Sequence, residues 1–303
     1  MDATRTREIL GRVRRLEIRT RRLVEETMAG QYHSVWKGRG MDFEEVREYF
    51  PGDEVRSIDW NVTARTGRPF VKKFREEREL TLLLLVDLSA SGSFGSRERS
   101  KRELAAELAC VLAFSAIRNQ DRVGLVLFTD RVEKFIPPAK GRSHVLRVVR
   151  EILYFEPEHR GTDLRAALDF ASRVVPRRAI SFLISDFVVP GCERGLPEDV
   201  SKALALTNRR HDLVAIVPID PRERTLPQIG IVTLEDAETG EQIEVDTHDR
   251  ALRERYEAAA SAHVDSLRRS LRGAGVDLLE VPTETPYLPA LQRFFRGRSR
   301  RAA

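Results

Sequence analysis

Hydrophobic positions in this chain fall into runs of two kinds. Residues 80–86 read Leu-Thr-Leu-Leu-Leu-Leu-Val and stop abruptly at Asp87-Leu88-Ser89, the mark of a strand buried on both faces. Residues 100–118 then place Leu104, Leu108, Val111 and Ser115 on one helical face, and residues 123–128 form a second apolar run closed by Thr129-Asp130. A short alternating stretch at 132–136 predicts an edge strand. Helices follow over 145–153 and 164–175, a strand over 180–184, a helix over 200–208 and a strand over 213–217. Farther on, a polar hairpin turns at Thr239-Gly240, a long helix covers 250–272 with Gly273 as its cap, and 276–281 is the last strand. Strands and helices alternating in this order predict an α/β fold built on a doubly wound, mostly parallel, Rossmann-like sheet.

With 303 residues the chain can hold one large domain and a smaller companion. We divide it into a basic segment 1–29, a small lobe 30–78, the main α/β domain 79–285, and a C-terminal helix and basic tail 286–303. No apolar run approaches the roughly 20 residues that span a bilayer, and the Arg-rich beginning lacks a signal-type apolar stretch. The two cysteines, Cys110 and Cys192, lack CxxC spacing. A soluble, cytoplasmic protein with free thiols is the expectation.

Charge is uneven. Residues 5–22 hold eight arginines against Glu8 and Glu17, so a chain of net charge +5 is close to neutral elsewhere. Ile9, Leu10, Val13, Leu16, Leu23 and Val24 recur at helical spacing within it, which makes 1–29 a basic amphipathic helix. Packing on its own protein is the preferred reading; peripheral contact with a membrane surface or another polyanion is the alternative. Arg293, Arg296, Arg298, Arg300 and Arg301 at the other end read as a frayed basic tail. Neither stretch interleaves aromatics with its arginines, so nucleic acid is not an expected partner.

In a doubly wound sheet ligands bind where strands end and helices begin. Three such loops carry matching chemistry: Asp87-Leu88-Ser89-Ala90-Ser91, Gly161-Thr162-Asp163, and Ser185-Asp186-Phe187. Alternate residues Asp87, Ser89 and Ser91 on one tight turn can converge, while Thr162 and Asp186 arrive from neighbouring loops. Mg2+ is a hard ion that prefers oxygen ligands and keeps some waters, so hydroxyls and acids suit it. Taken singly, these residues are ordinary turn and cap residues, and Thr162 or Asp163 could simply cap the helix that follows. Their coincidence at three strand-to-helix loops of one sheet favours a metal.

At these residues the chain resembles the von Willebrand factor A domain and its metal-ion-dependent adhesion site. The resemblance implies that Ser89, Ser91 and Thr162 contact the ion, and that Asp87 and Asp186 contact it directly or through water. A partner's Asp or Glu would complete the shell around Mg2+, Mn2+ or Ca2+. Upstream, Gly38-x-Gly40-x-x-Phe43, then Arg47-x-Tyr49-x-x-Gly52-Asp53-x-x-Arg56-x-Ile58-Asp59-Trp60 and Ala64-Arg65, resemble bacterial proteins of unknown function that carry such a domain. Genes for those proteins commonly lie beside genes for MoxR-type AAA+ ATPases. The resemblance implies an adaptor that helps such an ATPase assemble, remodel or insert metal into a client protein. The preferred reading of Arg47, Asp53, Arg56, Asp59 and Arg65 is that they form internal ion pairs around Trp60 and Tyr49; the alternative is that Arg47, Asp53, Arg56, Asp59, Trp60 and Arg65 belong to the face that the ATPase recognises.

Enzyme readings find little support. There is no GxxxxGK[ST], and Gly38-Arg39-Gly40 lacks the third fingerprint glycine. A dehalogenase-type phosphatase would want a second Asp where Ser89 stands. Ser93 within Ser91-Gly92-Ser93-Phe94-Gly95 lies off the turn, and its base would have to be His248 or His263. A metal-dependent phosphoesterase, and a scaffold whose basic helix grips a polyanion, are kept as the alternatives.

Overall fold

The computed structural model describes residues 41–76, 80–96, 99–192 and 195–302. The predicted basic helix 1–29, together with Gly38 and Gly40, lies outside the described residues.

The main sheet has six strands: β3 (Thr81–Asp87), β4 (Arg122–Phe128), β5 (Val132–Ala139), β6 (Ile180–Ile184), β7 (Asp212–Ile219) and β10 (Asp277–Pro282). Their order is β10-β7-β6-β3-β4-β5, all parallel except the edge strand β5, which runs antiparallel to β4. β3 sits inside, paired with β6 and β4, and its residues 82–87 are all buried. That is why its sequence is continuously apolar rather than alternating.

Helices cover both faces. On one lie α2 (Lys101–Arg118), α3 (Arg142–Tyr154) and α7 (Leu288–Ala302); on the other lie α4 (Leu164–Val174), α5 (Glu198–Arg210) and α6 (Arg250–Gly273). α2 opens with a capping box, in which the Ser100 hydroxyl accepts from Glu103 N and Glu103 accepts from Ser100 N. Thirteen of its eighteen residues are buried, and Ala105, Ala109, Ala113 and Ala116 keep it small enough to lie close to the sheet. Between β7 and α6 the chain makes a separate hairpin, β8 (Ile231–Glu235) and β9 (Gln242–Asp246), turning where the sequence places it.

Three expectations change. α6 runs through Gly273, and the left-handed residue after it is Gly275, φ 70°, whose N–H bonds back to Arg272 O. The C-terminal segment does not fray: Leu291 and Phe295 sit in the core, and Arg298 pairs with both Asp212 and Asp277. The lobe before the sheet also has regular structure that the sequence pattern hides: β1 (Met41–Glu48) pairs antiparallel with β2 (Phe70–Glu76), and a seven-residue helix, α1 (Trp60–Thr66), lies between them.

His211, which caps the end of α5, is fully buried; its Nδ1 accepts from Ala179 N at 3.2 Å. Burial, then the charges of Arg210 and Arg178, push the imidazole down to about 4. A histidine whose folded pKa lies below its unfolded value of 6.5 binds fewer protons when folded, so its contribution is present above 6.5 and lost as pH falls towards 4. His211→Asn is expected to flatten the acid limb of a plot of Tm against pH between 6.5 and 4. An unchanged limb would place the acid sensitivity elsewhere.

Candidate metal centre

Backbone bonds draw the connections at the carboxyl edge of the sheet together. Leu88 N donates to Phe128 O at 2.8 Å, Ala90 N to Arg160 O at 2.9 Å, and Asp163 N to Thr129 O at 2.9 Å. The loop after β3 is thereby tied to the end of β4 and to the segment entering α4.

Asp87, the last residue of β3, is buried. Its Oδ1 accepts from Ser89 N at 2.8 Å, and its Oδ2 accepts from the Ser185 hydroxyl at 2.6 Å. Ser185 therefore joins the ends of β3 and β6. The 3-10 turn Ala90–Ser93 brings the Ser89 and Ser91 hydroxyls within 3.1 Å of each other. On the β6 side, buried Phe187 adopts φ 59°, a left-handed conformation unusual for such a residue. Ser185 Oγ accepts its N–H at 3.0 Å, and Asp186 Oδ1 accepts Val188 N at 3.2 Å. Strain held in place by its surroundings is common where a loop must aim side chains.

Two of the alternatives left open by the sequence are now decided. Asp163 is the cap of α4, its Oδ1 accepting from Ala166 N at 2.9 Å. Thr162 caps nothing; its hydroxyl donates to Glu238 Oε1 at 2.8 Å, from the turn of the β8–β9 hairpin.

Sequence reasoning missed Lys101, Glu223 and Glu238. Lys101 Nζ lies 2.5 Å from both Asp186 Oδ2 and Glu223 Oε1, and its side chain is 3% exposed. Burial works against its charge, but the two carboxylates outweigh that and hold the ammonium above the ordinary lysine value. A lysine opening a helix usually faces water, and nothing in the local pattern marks this one as inward-facing. Asp87 moves the other way. Burial first, and then the charge of Asp186, push its carboxyl up to about 7 despite the bonds from Ser185 and Ser89.

The donor set fits a small divalent cation: three hydroxyls and two carboxylates are hard oxygens, and Lys101 pairs with Asp186 and Glu223 but not with Asp87. Among the described residues no three His, Cys, Asp or Glu side chains gather as a metal cluster, so an ion here needs the hydroxyls as well as the acids.

The second set of predicted residues does not converge. Arg47 grips Asp53 through two bonds of 2.6 and 2.8 Å, and Asp59 caps α1 by accepting from Asn61 N and Val62 N. The expected cluster around Trp60 is absent among the described residues. Trp60 is 67% exposed, and Arg56 and Arg65 are exposed with it. α1 buries none of its residues, so it has no inner face on which a tryptophan could pack.

Sheet order, helices on both faces and a loop cluster at the carboxyl ends of β3 and β6 define a doubly wound, mostly parallel α/β domain. Within that class, the chain belongs to the family described as "Protein of unknown function DUF58", which matches residues 45–266. An uncharacterized protein of Mycobacterium tuberculosis is 34% identical over 292 residues, covering 96% of this chain and 90% of that one. The uncharacterized protein YeaD of Bacillus subtilis is 28% identical over 107 residues, 35% of this chain and 25% of that one. Among solved structures, the conserved hypothetical protein BatB from Bacteroides thetaiotaomicron is 14% identical with a TM-score of 0.43, over 73% of this chain and 99% of its own. The SpRpn10 VWA domain is 12% identical with a TM-score of 0.37, over 70% and 93%. No helix among the described residues is long and apolar enough to cross a membrane.

Proposed function

We propose that this protein is a divalent-metal-dependent protein-binding adaptor rather than an enzyme. It binds Mg2+, or Mn2+ or Ca2+, through Asp87, Ser89, Ser91, Thr162 and Asp186, and uses the ion to grip an Asp or Glu of a partner. What carries this reading is the buried Asp87, exposed to the charge of Asp186 and set beside the paired serine hydroxyls, a group of oxygens in which an added cation relieves an electrostatic cost. When bound, the ion supplies Lewis acidity and an open coordination position; the chain supplies the rigid loops that hold the oxygens apart from bulk water.

The proposal extends to a cytoplasmic partner, a MoxR-type AAA+ ATPase, with which the adaptor assembles, remodels or inserts metal into a client. What supports a docking role for the lobe is an apolar, exposed set on its surface: Phe50, Val55 and Trp60 at 62, 60 and 67%. Arg56 and Arg65 are exposed as well, while Arg47, Asp53 and Asp59 hold the lobe's shape.

The test is a thermal-shift titration of chelator-treated protein. At about 100 times its Kd, an ion that binds only the folded state adds about 2.7 kcal/mol, a rise of roughly 5 °C in Tm for a chain of this size. Ser89→Ala with Ser91→Ala is expected to lose that response while keeping its fold, because the two hydroxyls bond to each other and their removal leaves the backbone bonds of the turn in place. No response of the parent protein to Mg2+, Mn2+ or Ca2+ would sink the reading. Trp60→Ala with Arg56→Ala, which removes only exposed side chains, is expected to lose capture of a purified ATPase partner at unchanged Tm; full capture would take the lobe out of the interface.

A further inference from the structure

The two edges of the main sheet differ. At one, β5 carries Pro137 and Pro138, whose missing N–H groups discourage a further strand. At the other, β10 pairs only with β7 among the described residues, and its one proline is the last residue, Pro282. Beside β10 lies a cleft of about 510 Å³. Residues 275–278 and Glu280, from the strand and the turn before it, line the cleft together with Arg268 and Arg272 of α6 and Arg301 of α7. Because α6 and α7 pack on opposite faces of the sheet, the open edge lies between two helix walls.

The walls are basic. Arg268 grips Glu280 through two bonds of 2.7 Å, and Arg224 approaches the same carboxylate at 3.6 Å. Asp277 likewise holds Arg298 at 2.9 Å and Arg301 at 3.2 Å. Each acid of the strand thus serves two arginines. Asp265 and Asp212 add a bond each, to Arg268 and Arg298, which still leaves one guanidinium over. It is that of Arg272, exposed and without an acidic partner among the described residues. Arginines already fixed by ion pairs lose less side-chain freedom when a ligand arrives.

We propose that this cleft is a peptide-docking site, in which an extended acidic segment of a partner protein adds to β10 as a seventh strand and sets a carboxylate against Arg272. Strand addition supplies main-chain bonds, while alternate side chains of the guest meet the two walls. A single strand lies about 4.8 Å from its neighbour, so it can enter between the helices. A second copy could not, because its own α6 and α7 flank its β10 and would meet these walls first. The cleft lies at the start of β10, the amino end of a parallel pair, whereas the candidate metal centre lies at the carboxyl end of the sheet. Docking here does not depend on the ion.

The experiment measures fluorescence polarisation of a labelled Ser-Val-Glu-Val-Glu-Val-Ser amide with the full chain, in EDTA so that no ion grips the glutamates. We expect saturable binding that is about tenfold weaker in Arg272→Glu, the loss of one charge-assisted bond. The peptide with glutamine in place of glutamate should not distinguish the two proteins. Two further peptides are N-methylated, one at its valines and one at its glutamates. Only one edge of the guest faces β10, so strand addition requires one of the two to lose binding and the other to keep it. Hydrogen exchange should slow at the amides of 277–281 and not in the loops around Asp87 and Asp186. Equal affinity of the two methylated peptides, or no saturable binding of the unmodified one, would overturn the proposal. So would self-association of the protein that Arg272→Glu abolishes, which would give the cleft to a second copy.

Discussion

Asp87→Asn should make the metal-free protein more stable at pH 8 and, in the same step, abolish its stabilisation by Mg2+. Asp87 is buried beside Asp186, and burial followed by that neighbouring charge raises its pKa from 3.8 to about 7. An acid whose folded pKa exceeds its unfolded value binds more protons when folded, so stability falls as pH rises through the window from 4 to 7. By pH 8 the full cost is present. Its ceiling is about 4 kcal/mol, taking the shift at 1.36 kcal/mol per pH unit. Asparagine keeps an acceptor for Ser89 N and can pair with the Ser185 hydroxyl, so the substitution removes the charge with little change in shape. Thermal melts in EDTA from pH 5 to 8 should show the parent protein falling relative to Asp87→Asn. A variant that melts lower than its parent at pH 8 would mean that Asp87 is stabilised where it stands, and the electrostatic case for a cation would fail. Residues shaped for binding often cost stability in this way, which is why one substitution can improve the fold and destroy the site.

Lys101→Met should act with the opposite sign. Its ammonium lies between Asp186 and Glu223, with the lysine and Asp186 side chains only 3 and 7% exposed. Removing one partner of a buried ion pair leaves an uncompensated charge, at a cost of about 3–5 kcal/mol. In EDTA the variant should therefore melt roughly 10 °C below its parent. Mg2+ should recover a large part of that loss, because the ion meets Asp186 without a competing ammonium. The Mg2+-induced rise in Tm should thus be greater in Lys101→Met than in the parent. An equal rise would show that the lysine and the ion do not share Asp186, leaving Lys101 as a structural tie between α2 and β6.

The two predictions separate the roles of the two acids. Among the described residues Asp87 pairs with no basic side chain and takes hydroxyl and amide donors, whereas Asp186 is already partly neutralised by Lys101. An ion meeting both would find one carboxylate ready and the other shared with the protein's own cation.

Periodicity and run length determined most of the architecture. The buried strands β3, β4, β6 and β7 are continuous apolar runs, and a parallel strand covered on both faces can scarcely be written otherwise. The loops carrying Asp87, Ser89, Ser91, Thr162 and Asp186 were legible for the same reason, because abrupt ends of apolar runs mark the carboxyl edge of the sheet. Where burial is slight, the pattern failed. β1, β2 and α1 form a small lobe with few buried side chains, so hydrophobic spacing carries little information there, and Trp60 proved to face solvent.

What only the tertiary structure decided is which distant charges meet. Lys101 reaches Asp186 across 85 residues and Glu223 across 122, and Glu238 reaches Thr162 across 76. Arg298 holds Asp212 across 86, turning an apparent frayed tail into a docked helix. Each residue looks locally like an ordinary surface charge. The sequence alone determines where strands end because burial of an element imposes a local pattern; it does not reveal charge pairing, because an electrostatic partner is selected by distance after folding and leaves no periodic trace.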